Sequence, residues 1–446
     1  MSERPAPGGS HRTGLIDRLR GALAALRPSL ITGADAQSDS GVTGMLGQLG
    51  AAALASSKAT SDVEETLRRL AVVYDRPELR IFVLPTLVLI EDPAATPSQT
   101  SIFPADGGTL RLDQAGAIDR LVRRALDGRP DPDDVLATVT TIRTSGPRFG
   151  PVLTVLGYTL LTFGFGMVLN PTIAALPVYL VLGVAVGTIV VLGSRIPTLS
   201  LVLPVATAFL VTLVVSLGVI PLVGGDDVVR LVAPSLVSFL PGLTLTIAAV
   251  ELTSGQVMAG ASRLVYGVAQ LGLLAFGVFA GISVAGTSPT ASGGVEQLGV
   301  WAPWAGLVLV GLGYYLYSAA PRGSLLWILY ALVVAHAAQL LGALLVGAEL
   351  SGLFGALIVI PAVGLAGRIR RAPSTAIMLT CAYWVLVPGS MGFIGLSEVA
   401  SGTAGATSTI LRTFGSLIAI AIGMVLGAGF SRDVVALARG WRHPRR

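Results

Sequence analysis

Two acids close two copies of one template. Pro241-Gly242 to Gly255 reads PGLTLTIAAVELTSG, and Pro388-Gly389 to Gly402 reads PGSMGFIGLSEVASG. Each is Pro-Gly, eight residues, Glu, two residues, Ser-Gly, and each lies in or beside an apolar run. Gly and Pro do related things to a helix. Gly removes the side chain, while Pro removes a backbone donor and clashes with the preceding turn. A Pro-Gly pair inside a span therefore frees carbonyls before the break and N–H groups after it. In lipid these need an internal partner or a ligand. The freed N–H groups carry the positive end of a helix dipole, which suits a carboxylate. Thr244, Thr246 and Ser390 add hydroxyls at the breaks. Glu251 and Glu398 supply negative charge for an ammonium or a proton. Pro241, Gly242, Thr244, Thr246, Pro388, Gly389 and Ser390 are thus candidate substrate contacts, and a zwitterionic amino acid could use both kinds of group.

Helix arithmetic limits this picture. From Pro241 to Glu251 is ten residues, or ~15 Å of helix. With the breaks near the midplane, one acid lies near the inner face and the other near the outer face. They would then serve as gates or proton sites, not as one shared centre; the alternative is that the two segments are re-entrant, which takes the acids deeper. Arg263 follows Glu251 by 12 residues and Arg412 follows Glu398 by 14, so each half could hold a Glu–Arg pair. A plain structural ion pair is the alternative reading, as a packing kink is for Pro-Gly. His336 lies mid-span among Ala and Val. It is a candidate proton relay, or a histidine simply hydrogen-bonded in the bundle.

The elements that must place these groups are apolar helices. Of 446 residues, 53% are hydrophobic and 12% charged, the composition of a polytopic membrane protein. Residues 1–149 hold 18 Asp/Glu and 17 Lys/Arg, whereas residues 150–430 hold 6 and 8. From Pro151 the apolar runs fall into two sets of five, at about 151–169, 174–194, 200–223, 231–253 and 264–287, then 300–319, 324–347, 350–367, 374–397 and 408–430. Each can span at ~20 residues. An odd number of spans per half inserts the halves with opposite orientation, an inverted repeat. Arginine supports this. With a cytoplasmic N-terminus the inner connections hold Arg143, Arg148, Arg195, Arg263, Arg322, Arg368, Arg370 and Arg371, while the outer ones hold only Arg230 and Arg412. That bias puts both termini in the cytoplasm.

The expected fold is a polytopic α-helical membrane protein with ten transmembrane helices as two inverted five-helix repeats, preceded by a small cytoplasmic α+β domain. Its parts are a tail and basic amphipathic helix (1–40), the α+β domain (41–149), the two repeats (150–290 and 291–431) and a basic tail (432–446). Within the domain, Ser61 is the expected cap of a helix running to about Val73. Leu79–Ile90 reads as one strand, Glu91–Gly108 as loop and Thr109–Leu112 as a second strand. Asp113–Leu126 and Pro132–Ile142 read as helices. The single cysteine, Cys381, excludes an intrachain disulfide. No nucleotide-binding loop, zinc-protease motif or nucleophile–base pair is visible. The reading is therefore a non-enzyme without cofactor or metal. Its partners are a small-molecule substrate, protons and membrane lipid, with no nucleic acid, and a homo-oligomer stays open.

Three stretches carry a family resemblance: SDVEETLRRLAVVYDRPELRIFV before the spans, LVSFLPGLTLTIAAVELTSGQVMAGASRLVYG closing the first five, and YWVLVPGSMGFIGLSEVASG in the second five. Over roughly residues 41–430 the chain resembles the bacterial threonine/serine exporter family. The strand IFVLPTLVLIE departs from that family in lacking a Thr-Ser signature. The resemblance implies proton-motive-force-driven export of threonine, serine and similar solutes across the bacterial cytoplasmic membrane. Glu251, Glu398, Arg263, Arg412 and His336 are the groups placed for proton coupling or gating. Two alternatives remain: an exporter of dicarboxylates such as succinate, and a non-transporting membrane scaffold or receptor.

Overall fold

The computed structural model describes residues 41–95, 98–105, 108–193, 197–220, 228–286, 296–347, 350–369, 372–373, 375–386, 415 and 418–430. The second Pro-Gly block, with Pro388, Gly389, Ser390, Glu398 and Arg412, lies outside these residues, as do the amphipathic helix expected before residue 40 and the basic tail.

Residues 42–144 build helices α1 (Val42–Ala55) and α2 (Thr60–Val73), strands β1 (Arg80–Leu84), β2 (Leu87–Asp92) and β3 (Gln99–Pro104), and helices α3 (Leu112–Gly128) and α4 (Pro132–Thr144). The strands form an antiparallel meander, with Arg80 opposite Glu91, Leu84 opposite Leu87 and Leu87 opposite Pro104. Alternation puts Ile81, Val83, Val88 and Ile90 on the inner face. They pack on Met45, Leu46 and Leu49 of α1, Leu67 and Leu70 of α2, and Ile118 of α3. Helix α1 is buried almost all round. Its Gly50 lies so close to Leu67 and Val88 that a Cβ would collide with both.

Four expectations are corrected here. The single strand over Leu79–Ile90 is a hairpin, because Pro85-Thr86 turns the chain between β1 and β2 and Pro has no N–H for a ladder. The loop over 91–108 contains β3. Thr109–Leu112 forms no strand, and Leu112 already opens α3. Helix α2 starts at Thr60 behind Ala59, which makes no side-chain cap, rather than after Ser61.

The apolar part follows as α5 (Pro151–Leu169), α6 (Leu176–Gly193), α7 (Pro197–Val214, running into a π-helical turn Val215–Val219), α8 (Val228–Val232, continuing as a 3₁₀ helix Ala233–Phe239), α9 (Gly242–Thr253) and α10 (Val257–Ala285). Then come α11 (Ala302–Tyr317), α12 (Leu325–Val346), α13 (Ser351–Ala366), α14 (Thr375–Leu386) and α15 (Ile418–Phe430). Among the described residues five helices are long and apolar enough to cross a membrane, or six if the bent pair Val228–Phe239 and Gly242–Thr253 is one span. Helices α11, α13 and α15 are shorter and apolar. Many large apolar side chains, such as Val181, Met258 and Leu344, are exposed on these helices, as lipid-facing residues are.

Helices α5 and α11 meet antiparallel along glycines. A Cβ on Gly164 would sit 2.7 Å from the Gly306 carbonyl oxygen, and one on Gly306 would sit 2.7 Å from that of Gly164. A Cβ on Gly157 would come within 2.9 Å of the Gly313 carbonyl oxygen. Lipid gives helices no hydrophobic drive to associate, so small residues that admit close backbones make the contact.

Candidate functional site

The fourth apolar run breaks where the Pro-Gly pair requires it. The axes of Val228–Phe239 and Gly242–Thr253 differ by 66°. Pro241 is the N-cap residue of α9 and Gly242 its first residue, both buried. Neutral side chains from two other helices satisfy the broken segment. In a continuous helix the Phe239 carbonyl would accept from residue 243. Instead the Gln270 amide of α10 donates to it at 3.0 Å. One turn earlier, the buried Tyr158 hydroxyl of α5 donates to the Ser235 carbonyl at 2.8 Å and meets the Ser238 hydroxyl at 2.7 Å. The Tyr317 ring of α11 packs edge-on against Tyr158, centroids 5.2 Å apart.

The candidate substrate hydroxyls behave differently from each other. The Thr246 hydroxyl is buried and donates to the Gly242 carbonyl at 2.8 Å, within its own helix. Thr244 is half-buried one turn from the break. The N–H groups of the first turn of α9 have no partner inside the helix.

The other end of α9 is charged. A turn at Ser254-Gly255-Gln256, with Gly255 at φ +82°, folds α10 back along α9. Gly260 and Gly267 let the helices close, since a Cβ on Gly260 would sit 2.8 Å from the Ala248 carbonyl oxygen. This hairpin brings Arg263 to Glu251, with Nε 3.1 Å from Oε2. The Glu251 side chain is fully buried, and that of Arg263 is 14% exposed. The other oxygen, Oε1, accepts from the backbone N–H of Thr60 at 2.9 Å and from its hydroxyl at 3.0 Å.

Thr60 is the first residue of α2, in the part of the chain before the spans. The cap that Ala59 does not supply thus comes from Glu251, 191 residues away. A carboxylate on a helix N-terminus satisfies an orphan donor and meets the positive end of the dipole. Arg263 also donates to the Lys58 carbonyl at 3.4 Å, and Lys58 is ion-paired with Asp119 of α3. One relay therefore runs from α3 through the α1–α2 connection to the end of the broken span. Removing two charges from water costs several kcal/mol per ion; Oε1 and the guanidinium have the further partners named above, while Oε2 and Nε face each other as an ion pair without hydrogen-bond alignment. Leu112 of α3 belongs to one buried apolar cluster with Leu161, Phe165 and Ile377.

Of the sequence candidates, Pro241, Gly242, Thr244, Thr246, Glu251 and Arg263 lie on one hairpin with its two ends. His336 lies elsewhere, on α12, its ring edge-on to Trp304 of α11 with centroids 5.0 Å apart. Sequence reasoning did not single out Tyr158, Gln270 or Thr60. The first two carried a signal, being polar groups inside apolar runs. Thr60 carried none. Among the described residues, no three His, Cys, Asp or Glu side chains gather as a metal site.

Fold and site define a multi-pass helical membrane protein in which one apolar run bends at Pro241-Gly242 and is tied to the part before the spans. The family model described as "Putative threonine/serine exporter" matches residues 45–285. That is more than half of the chain and covers α1 to α10, so the chain belongs to this exporter family. No match was found among curated proteins, and none among solved structures.

Proposed function

We propose that this protein is a secondary active exporter of small amino acids, threonine and serine first, from the bacterial cytoplasm and driven by the proton-motive force. The observation that carries the reading is the construction of α9. Its start is a Pro-Gly break in an apolar setting, and its end is a buried glutamate held by an arginine and by the N-terminus of α2. The break at Pro241, which has no N–H itself, offers the backbone N–H groups of Gly242 and Thr244 to a substrate carboxylate. Thr246, its hydroxyl engaged on the Gly242 carbonyl, braces the first turn of α9 behind the break.

Glu251 and Arg263 are the coupling pair on this reading. As a carboxylate, Glu251 accepts two charge-assisted bonds from Thr60. A proton on it weakens both bonds and leaves Arg263 without its counter-charge. Either change favours an arrangement in which α9 separates from α2. His336 is a further coupling candidate, against Trp304. Pro388, Gly389, Ser390, Glu398 and Arg412 serve the corresponding roles in the second half, facing the opposite side.

The proposed architecture is ten spans in two inverted repeats, both termini cytoplasmic. The α5–α11 contact supports it. Gly157 and Gly164 are seven residues apart, as are Gly306 and Gly313, and they pair crosswise on antiparallel helices. An isologous contact about a two-fold axis has that form, and these are the first helices of the two halves.

The test is efflux from proteoliposomes loaded in parallel with labelled threonine, serine and succinate under an imposed proton gradient. Gradient-dependent loss of threonine and serine supports the reading. Loss of succinate alone assigns the protein to dicarboxylates, and no flux of any substrate assigns it a scaffold or receptor role.

A further inference from the structure

The described cations near the soluble part fall into two groups. Lys58, Arg68, Arg69, Arg76, Arg80, Arg111, Arg129 and Arg263 each have a carboxylate partner. Arg120, Arg123, Arg124, Arg143, Arg148 and Arg322 have none among the described residues, and three of these, Arg120, Arg123 and Arg322, line one cavity of about 180 Å³. Its remaining wall is Gly116, Pro321, Gly323, Ser324, Ala372, Pro373 and Ile377, with no acid in it.

The construction explains why they converge. Gly116, Arg120 and Arg123 lie at i, i+4 and i+7 on α3, one face of that helix. Gly116 lets this face close on the membrane part, since a Cβ there would sit 3.0 Å from Ile377 and 3.1 Å from Pro321. Arg322 comes from the tight α11–α12 turn, where Gly323 has φ +79°. Ser324 is the buried N-cap residue of α12, and its hydroxyl donates back to the Pro321 carbonyl at 2.7 Å. The first turn of α12 thus begins at the cavity wall, and α14 begins just beyond Pro373. Helix N-termini and guanidinium groups act with the same sign on an anion. The space far exceeds the ~10–15 Å³ that one water needs. It also lies where α11, α12 and α14 end, at the edge of the apolar layer.

We infer that this cavity binds a phosphate-bearing anion, clasped between α3 and the turns at the ends of α11, α12 and α14. Arg120, Arg123 and Arg322 take the phosphate oxygens, as planar guanidinium forks do. The same chemistry is offered by an anionic lipid headgroup at the membrane surface and by free phosphate from solution. A bound anion would fasten the soluble part to the membrane part independently of Glu251. The inference therefore does not rest on the transport reading.

The test uses the full chain and its thermal unfolding. One arm compares inorganic phosphate with chloride at matched ionic strength in neutral detergent. The other compares nanodiscs of phosphatidylcholine with nanodiscs containing phosphatidylglycerol. The wild-type protein should gain Tm in at least one arm, and which arm responds names the source. The variant R120Q/R123Q/R322Q should lose that gain. R68Q/R69Q/R80Q removes the same charge elsewhere on the soluble part and should keep it. Should the triple variant fail to fold, R322Q, on an exposed turn, should still reduce the gain. No gain in either arm, an undiminished gain in the cavity variants, or an equal loss in the control would overturn the proposal.

Discussion

The two ends of α9 are held in opposite ways. At the Pro241 end the chain is broken, and uncharged groups on other spans, Tyr158 and Gln270, satisfy the freed backbone. At the Glu251 end the chain is helical, and charge holds it to a different part of the molecule. Neutral hydrogen bonds are worth about 0.5–1.5 kcal/mol net, so the break can rearrange at small cost. A buried charge cannot lose its partner so cheaply: breaking such a pair costs about 3–5 kcal/mol. On the function proposed above, the first end would fit the ligand and the second would switch between two states. Among the described residues, the hydrogen bonds from α9 to the part before the spans are made at its charged end.

That contrast can be broken by substitution. Glu251→Ala should have the largest effect, a loss of about 3–5 kcal/mol, since it strands Arg263 and uncaps α2 together. Thermal unfolding in detergent measures it, and a second substitution, Arg263→Ala, should recover part of the loss. Gln270→Leu and Tyr158→Phe come next. Each removes a side-chain hydrogen bond to a backbone carbonyl of the broken segment, a loss of about 1.5 kcal/mol. Hydrogen exchange should show the change confined to residues 233–245, with α2 undisturbed. Thr60→Val should be smallest, about 1 kcal/mol, because the backbone N–H still reaches Glu251. Its mark is faster exchange in the first turn of α2 and none at the break. If Thr60→Val disturbs the break as much as Gln270→Leu does, the two ends are not separable.

The outlines of the membrane part were legible because apolar length is a local signal. The first run read at 151–169 coincides with α5. The Pro-Gly break and the nearness of Arg263 to Glu251 also follow from local sequence, through Gly255 and a short turn. The part before the spans was harder to read. Helix α1 has no polar face to reveal its period, because Gly and Ala let it be buried on nearly all sides. The hairpin β1–β2 looked continuous because its turn is only Pro85-Thr86 between two apolar runs. Thr60 could not have been found at all. Its carboxylate partner is 191 residues away, and nothing in its own neighbourhood distinguishes it from an ordinary helix-start residue.

The central claim is that a proton on Glu251 couples the gradient to export. Glu251→Gln keeps the size and an acceptor for Thr60 while removing the titratable charge. Threonine efflux from proteoliposomes, followed as the proton gradient is varied, tests the claim directly. The wild-type protein should show efflux that rises with the gradient. Glu251→Gln, reconstituted to the same level, should show efflux that no longer responds to it. Unchanged gradient dependence in that variant would contradict the account.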